Sequence, residues 1–475
     1  MNASPAPRPA DVGSPGSTQD PTSAARSTAT TTSAPTTPAL DHRAGRWLHH
    51  WNPEDPAQWA GAGKAIARRN LGASVFAEFL GFAVWASWSI VVPQLNGVGF
   101  QLTVDQMFWL VSVPSLVGAA LRLPYTFAVP LFGGRNWTVV SALLLLLPAL
   151  GLAWASTEPS TPFGVLLAVA ALAGVGGGNF ASSMANISFF YPEAEKGKAL
   201  GLNAAGGNLG TAAVQFAVPI VITIGAGVHL ERAGLVFVPL VLLAAALAWT
   251  RMDNIAGTTS DLGSFAGAAR HPHTWILSLV YIGTFGSFIG FSGAFPTLLK
   301  SQFPEVGLSI AFLGALVGSV ARPLGGMLAD RLGGAVVTVA SLVAMALGTL
   351  GAIVGLRGHS FVLFFLAFMW MFVFTGIGNG SVYRMIPAVF RATAPDTSPA
   401  GLLRSRKAAA GCIGIAGAVG ALGGFLIPRG FALSNSISGT LQPALWLFIG
   451  CYLLLGALTY AVYVGGHRKG RLPVI

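Results

Sequence analysis

The sequence predicts an all-helical integral membrane protein of twelve transmembrane helices in two six-helix halves. Three observations lead there. Of 475 residues, 53% are hydrophobic and only 9% charged, against about 25% charged in soluble domains. Apolar segments of bilayer-spanning length recur along nearly the whole chain after residue 70. The basic residues between them fall almost entirely on alternate loops. A water-surrounded core cannot hide so much apolar surface, whereas lipid covers it from outside.

The spans are expected at 71–93, 107–132, 137–155, 163–191, 198–224, 230–250, 274–298, 308–330, 335–356, 360–390, 405–428 and 441–465. Only the loop near 251–273 is long, and it separates six spans (71–250) from six (274–465). Counted from Arg43 and including those at the span ends, eighteen Lys and Arg fall on one set of segments. The opposite set holds four, Arg232, Lys300, Arg357 and Arg429. By the positive-inside rule both termini, including a short tail at 466–475, are expected in the cytoplasm. The expected location is the cytoplasmic (inner) membrane. One miscounted helix would scramble this alternation, so the bias also supports the number twelve.

Residues 1–45 are rich in Ala, Ser, Thr and Pro and poor in large apolar side chains. Such a stretch cannot bury enough surface to offset its chain entropy, and a disordered tail is expected. It also lacks the apolar run of a signal peptide. A cytoplasmic lead-in follows at 46–70, amphipathic around Trp47–Trp59 and basic at Lys64, Arg68 and Arg69.

Several function classes drop out. The net charge of +11 sits at span ends and forms no basic face, so no nucleic-acid partner is expected. Cys412 and Cys451 both lie inside apolar segments and read as packing residues. No metal-ligand spacing, nucleophile–base pair or nucleotide loop is present, so neither an enzyme nor a cofactor is expected.

The two halves resemble each other. Leu116-Val117-Gly118 precedes Arg122 in the second helix, and Leu316-Val317-Gly318 precedes Arg322 in the eighth, 200 residues on. The same offset relates Gly176, Gly178 and Asn179 in the fourth helix to Gly376, Gly378 and Asn379 in the tenth. Parallel halves with a substrate between them form a known transporter architecture.

Arginine inside a membrane helix is costly, about 2.5 to more than 10 kcal/mol by different scales. Arg122 and Arg322 enter the core, where acids are nearly absent apart from Glu78 in the first helix and Asp330 at the end of the eighth. The missing negative charge is then a substrate, because a guanidinium fork donates two parallel hydrogen bonds to an oxyanion. The plainer alternative is snorkelling to the interface or pairing with carbonyls. Asn179, Asn203 and Asn208 are buried amides that need partners and can donate to an anion. Phe180, and Tyr281 with Phe285 on one face of the seventh helix, offer rings that exclude water. Gly206, Gly207 and Gly210 on the fifth helix, and Gly417, Gly420, Gly423 and Gly424 on the eleventh, suit close helix packing. They also suit sliding of the halves.

At these motifs the chain resembles the nitrate/nitrite porter family of the major facilitator superfamily, of NarK type, over essentially all of 60–465. The resemblance rests on Ile66-Ala-Arg-Arg-Asn70, Gly118-Ala-Ala-Leu-Arg122-Leu-Pro-Tyr, Asn179-Phe-Ala-Ser-Ser-Met-Ala-Asn-Ile-Ser-Phe-Phe190, Ala199-Leu-Gly-Leu-Asn203, Gly207-Asn-Leu-Gly210 and Thr284-Phe-Gly-Ser-Phe-Ile-Gly-Phe291. It implies the major facilitator fold, nitrate and nitrite as substrates, and a monomer in the bilayer. It implies that Arg122 and Arg322 bind the anion, with Asn208, Phe180, Tyr281 and Phe285 around it. The glycine stretches of the fifth and eleventh helices match the family's two signature motifs.

The mechanism expected is nitrate/nitrite exchange. An empty site would set two positive charges against each other in a low-dielectric cavity, so closure without an anion is unfavourable. Glu78 and Arg384 depart from the family pattern. Glu78 keeps proton symport open as an alternative. Another small oxyanion as cargo is a further alternative, and a non-transporting sensor a weaker one.

Overall fold

The computed structural model describes residues 40–258, 262–396, 398–470, 472–473 and 475. The expected disordered tail up to residue 39, positions 259–261 of the expected inter-half loop, and Arg471 among the counted basic residues lie outside the described residues. Among the described residues, twelve helices are long and apolar enough to cross a membrane. They are α1 (Lys64–Leu95), α2 (Val104–Phe132), α3 (Gly134–Ala155), α4 (Phe163–Phe190), α5 (Glu193–Ile222), α6 (Arg232–Arg251), α7 (Pro272–Gln302), α8 (Phe312–Leu332), α9 (Gly334–Arg357), α10 (Phe361–Ala392), α11 (Ala400–Ser438) and α12 (Gln442–Arg468). A short helix, Leu262–Arg270, stands between α6 and α7.

The repeat seen in the residues is also a repeat of backbone. Gly133 and Gly333, 200 residues apart, end α2 and α8 with φ of 85° and 87°. Only glycine takes that conformation without strain, and it lets α3 and α9 turn back at once. Gly176 of α4 packs on the Gly81 carbonyl of α1, whereas its repeat partner Gly376 of α10 packs on the Gly318 carbonyl of α8, a different neighbour in the repeat. A Cβ at either position would overlap backbone, so the helices approach only because side chains are absent there.

Several helices carry local breaks that the bilayer-length expectation did not resolve. Prolines interrupt α2 at Pro114, Pro124 and Pro130, which membrane helices tolerate when neighbours re-satisfy the backbone. A π-turn at Ile282–Gly286 widens α7 directly after Tyr281 and contains Phe285. Such turns gather at functional sites because they re-aim side chains without ending the helix.

The lead-in differs from expectation. Residues 64–70 belong to α1. The preceding segment carries strands β1 (Asp41–Arg43) and β2 (Trp47–His49), so ordered backbone begins inside the stretch expected to be a disordered tail. β1 pairs antiparallel with β2, and β2 pairs parallel with β3 (Asn254–Ile255), directly after α6. Asp253, fully buried, holds this cap. It accepts from Arg46 at 2.8 Å, Arg69 at 2.6 Å and the Asn70 amide at 2.8 Å. The Arg135 guanidinium lies 3.8 Å from the Trp249 ring centroid and donates to the Trp249 carbonyl. The start of α1, the α2–α3 joint and the end of α6 are thereby tied together.

The halves meet face to face. On the side away from the lead-in, Arg429 of α11 pairs with Asp105 of α2 at 2.9 Å and stacks on Trp109 at 4.2 Å. The Gln215 amide of α5 donates to the Ser292 carbonyl of α7 at 2.7 Å. On the lead-in side, within the second half, Arg384 of α10 makes a bidentate pair with Asp330 of α8, at 2.5 and 3.1 Å. That accounts for both charges that the sequence left open at this end.

Candidate anion site between the halves

Arg122 and Arg322 are both buried, 1% and 7% exposed. Their surroundings differ. Arg122 donates through Nε to the Gly177 carbonyl of α4 at 3.2 Å, and through Nη1 to the Gly417 carbonyl of α11 at 2.6 Å. One guanidinium thus touches both halves. Its carbon lies 4.5 Å from the Phe180 centroid, 5.1 Å from Phe285 and 6.0 Å from Trp85. Arg322 stands over Tyr383 at 5.5 Å.

A run of rings connects the two cations. Phe180 stacks with Phe285 at 6.3 Å and 28°, and Phe285 stacks with Tyr281 at 5.0 Å and 16°. Tyr281 then meets Tyr383 at 6.5 Å. The Tyr281 hydroxyl donates to Asn379 Oδ1 at 2.9 Å. Of the rings that the resemblance sets around an anion, Phe180 and Phe285 flank Arg122, and Tyr281 continues the stack toward Tyr383. Cation–π attraction in a desolvated place is worth roughly 2 kcal/mol and helps hold a charge there.

The decisive feature is what lacks a partner. Arg122 Nη2, Arg322 Nη1, Asn208 Nδ2, Asn379 Nδ2 and the Tyr383 hydroxyl are all buried without a hydrogen-bond partner. Each orphaned buried donor costs about 1–3 kcal/mol, and more when charged. Two of these five carry positive charge, and the Arg322 guanidinium lies against the Tyr383 ring. Asp330 is paired with Arg384. Glu78, fully buried, accepts from the Ser183 hydroxyl and from Asn203 Nδ2 at 2.5 Å, and leaves Oε1 free. Its carboxyl is held by α4 and α5, and hydrogen-bonds to neither arginine.

The remaining candidates separate. Asn208 is buried on α5 with both amide atoms unpartnered. Asn179 packs against Gly81 of α1 and leaves Oδ1 without a partner. Gly206, Gly207 and Gly210 fit α5 against Val75, Glu78 and Phe79 of α1 inside the first half. Gly420 and Gly423 fit α11 against Tyr281 and Gly286 of α7 inside the second. Gly417 and Gly424 face the other half, at Arg122 and Ser115. Sequence reasoning missed Asn379 and Tyr383 as site residues. The signal was present: Asn379 is the repeat partner of Asn179, and Tyr383 follows four residues later on the same helical face. Among the described residues no three His, Cys, Asp or Glu gather as metal ligands.

Comparison with known proteins fits this picture. The Major Facilitator Superfamily model matches residues 75–428. The nitrate/nitrite transporter NarU of Salmonella typhimurium is 42% identical over 448 residues, covering 89% of this chain and 96% of its own. A probable nitrate/nitrite antiporter, NarK2, of Thermus thermophilus is 37% identical, covering 83% and 91%. A solved D-xylose-proton symporter superposes with a TM-score of 0.64 at 16% identity, covering 83% of this chain and 97% of that one, and shows the shared fold. With this fold, this repeat and these relatives, the chain belongs to the nitrate/nitrite porter family of the major facilitator superfamily, a membrane-spanning transporter and not an enzyme.

Proposed function

We propose that this protein carries nitrate and nitrite across the cytoplasmic membrane by alternating access, with one anion held between Arg122 and Arg322. The observation that supports this most is that Arg122 Nη2 and Arg322 Nη1 are buried without acceptors while Arg122 bridges the halves through Gly177 and Gly417. A planar oxyanion presents several oxygens in one plane and suits two forked guanidinia. Names of relatives at 42% and 37% identity point to the same substrates. In this reading the protein works as a monomer with both termini in the cytoplasm.

Exchange follows from the charges. Arg122 already bridges the halves through Gly417, so an anion on its free Nη2 and on Arg322 ties both halves to one ligand. Without it the two cations oppose closure, and the empty carrier returns slowly. Loaded with either anion the halves rock about it, so nitrate moves one way and nitrite the other.

A second reading is proton-coupled nitrate symport. It draws on the free Oε1 of Glu78 in the core of the first half, since membrane-buried carboxyls are often proton carriers. Uptake of labelled nitrate into proteoliposomes separates the two. Exchange requires internal nitrite or nitrate and ignores an imposed pH gradient. Uptake into empty vesicles driven by an inward proton gradient would overturn exchange and favour symport. Absence of uptake under every loading, with folded protein, would overturn the transport reading itself. Competition by phosphate or sulfate at equal concentration would point to another oxyanion as cargo.

A further inference from the structure

We infer that Asn379 and Tyr383 of α10 are substrate ligands that set the preference for nitrate over nitrite. The inference rests on the proposed reading of the site and deepens it. Asn379 and Tyr383 lie one helical turn apart and share a face. The Tyr281 hydroxyl donates to Asn379 Oδ1 at 2.9 Å, which fixes the amide orientation and leaves Nδ2 as the free donor. The Tyr383 hydroxyl is also buried and unpartnered. Its ring lies under the Arg322 guanidinium, 5.5 Å from centroid to carbon. Arg322 Nη1 is unpartnered as well. The second half thus offers an unpartnered amide and an unpartnered hydroxyl one turn apart on α10, with the Arg322 guanidinium against the Tyr383 ring.

The two substrates differ in what they can accept. Nitrate is a flat trigonal anion with three equivalent O–N–O edges, each offering two in-plane lone pairs. The Arg322 guanidinium and the free Nη2 of Arg122 occupy at most two edges. The third edge needs donors that add no charge, because a third cation would overbind a monovalent anion. Nitrite has two oxygens and one O–N–O edge, so it has no third edge to satisfy. Donors reserved for that edge therefore stabilise bound nitrate and leave nitrite nearly untouched. A site that hydrogen-bonds a substrate group discriminates against the analogue lacking it, because its own polar atoms are then left unpaired.

The test is counterflow in proteoliposomes with fixed internal nitrite. It measures half-saturation for external nitrate and for external nitrite in wild type, Tyr383→Phe and Asn379→Leu. Tyr383→Phe removes one oxygen and keeps the ring under Arg322. It is expected to raise half-saturation about tenfold for nitrate, the effect of one hydrogen bond to a charged acceptor, and less than about threefold for nitrite. Asn379→Leu should shift the same ratio in the same direction. Equal shifts for the two anions, no shift, or a fall in maximal rate alone would each overturn the inference. Arg322→Ala tests the underlying reading separately. Loss of both activities there, with Tyr383→Phe unchanged, removes only the role of α10. Unchanged half-saturation in Arg322→Ala would remove the site itself.

Discussion

Gly424→Ala separates glycines that let the halves meet from glycines that merely pack helices. A methyl on Gly424 would stand 2.6 Å from Ser115 Oγ, 2.7 Å from Ser115 Cβ and 2.7 Å from Ile289 Cγ2. Ordinary carbon contacts lie near 3.5–4.0 Å, so each neighbour must yield by about 1 Å. Ile289 is on α7, in the same half as Gly424, and that strain persists in every state. Ser115 is on α2, in the other half, and its overlap exists only while the halves are closed here. Overpacking costs about 1–3 kcal/mol in all. If roughly half falls on Ser115, the closed arrangement loses about 1 kcal/mol, a five- to tenfold shift toward separation at this level. Gly417→Ala is the control. Its added methyl would meet Arg122 Nη1 at 3.7 Å and Phe180 Cε1 at 4.0 Å, ordinary contacts. Spin labels at the exposed positions Gln101 and Ile437, in a background without Cys412 and Cys451, report the distance between the far ends of α2 and α11 by pulsed dipolar spectroscopy. Gly424→Ala should enrich the longer distance and Gly417→Ala should not. Identical distributions in wild type and Gly424→Ala, or equal shifts in both variants, would refute the division of glycines drawn from the packing.

Other consequences are simpler to state. Asp105→Asn removes the acid from the Arg429 pair, whose members are 45% and 21% exposed. The loss should be at most about 1 kcal/mol, visible as a several-fold gain of the longer α2–α11 distance that high salt reproduces in wild type. The double exchange Asp105→Arg with Arg429→Asp should restore the wild-type distribution. Asp253→Asn strips the carboxylate from beneath Arg46 and Arg69. Because both arginines are about one-third exposed and can rehydrate, the loss should be about 2 kcal/mol, below the 3–5 kcal/mol of a fully buried pair. A lower melting temperature in detergent, with half-saturation for nitrate unchanged, checks this. Glu78→Gln keeps an acceptor for Ser183 and Asn203, so under exchange it should transport within about twofold of wild type at every pH between 6 and 8. A change in the pH profile alone would assign Glu78 to proton coupling.

Much of the fold was legible because the bilayer imposes its period on the residues. Spans, their number and the six-and-six division follow from apolar length and from where Lys and Arg interrupt it. The repeat was legible because close helix contact admits only glycine, which leaves Gly176 and Gly376, or Gly118 and Gly318, at one offset. The start of α1 was misplaced for a related reason. Lys64, Arg68 and Arg69 end an apolar window, yet a helix continues past the lipid boundary wherever its backbone stays bonded. The β1–β2–β3 cap was invisible because strands of two or three residues have no periodicity. They exist only because β3, some 200 residues later, returns beside β2. Asp253 likewise reads as an ordinary loop acid until Arg46, Arg69 and Asn70 are brought around it.

In the site, the two arginines were found from the cost of a buried charge, but their inequality was not. The repeat predicts equivalent roles for Arg122 and Arg322, since they occupy matching turns of α2 and α8. The surroundings break that equivalence. Arg122 has carbonyl acceptors from α4 and α11 and three rings around it. Arg322 has the face of Tyr383 and, beside it, further donors without acceptors. A cation that already holds two carbonyls gains less from an anion than one without such acceptors, because part of its field is already spent on dipoles. The greater share of anion affinity should therefore reside with Arg322 and α10, while Arg122 and Gly417 report to each half on the position of the other. Lysine tests this asymmetry. It can keep a single carbonyl contact at position 122 but loses the fork at 322. Arg322→Lys should raise half-saturation for nitrate at least tenfold more than Arg122→Lys does, whereas Arg122→Lys should act mainly on the maximal rate. Equal effects of the two substitutions on half-saturation would mean that the anion, when bound, pulls Arg122 away from Gly417 and restores the symmetry of the repeat.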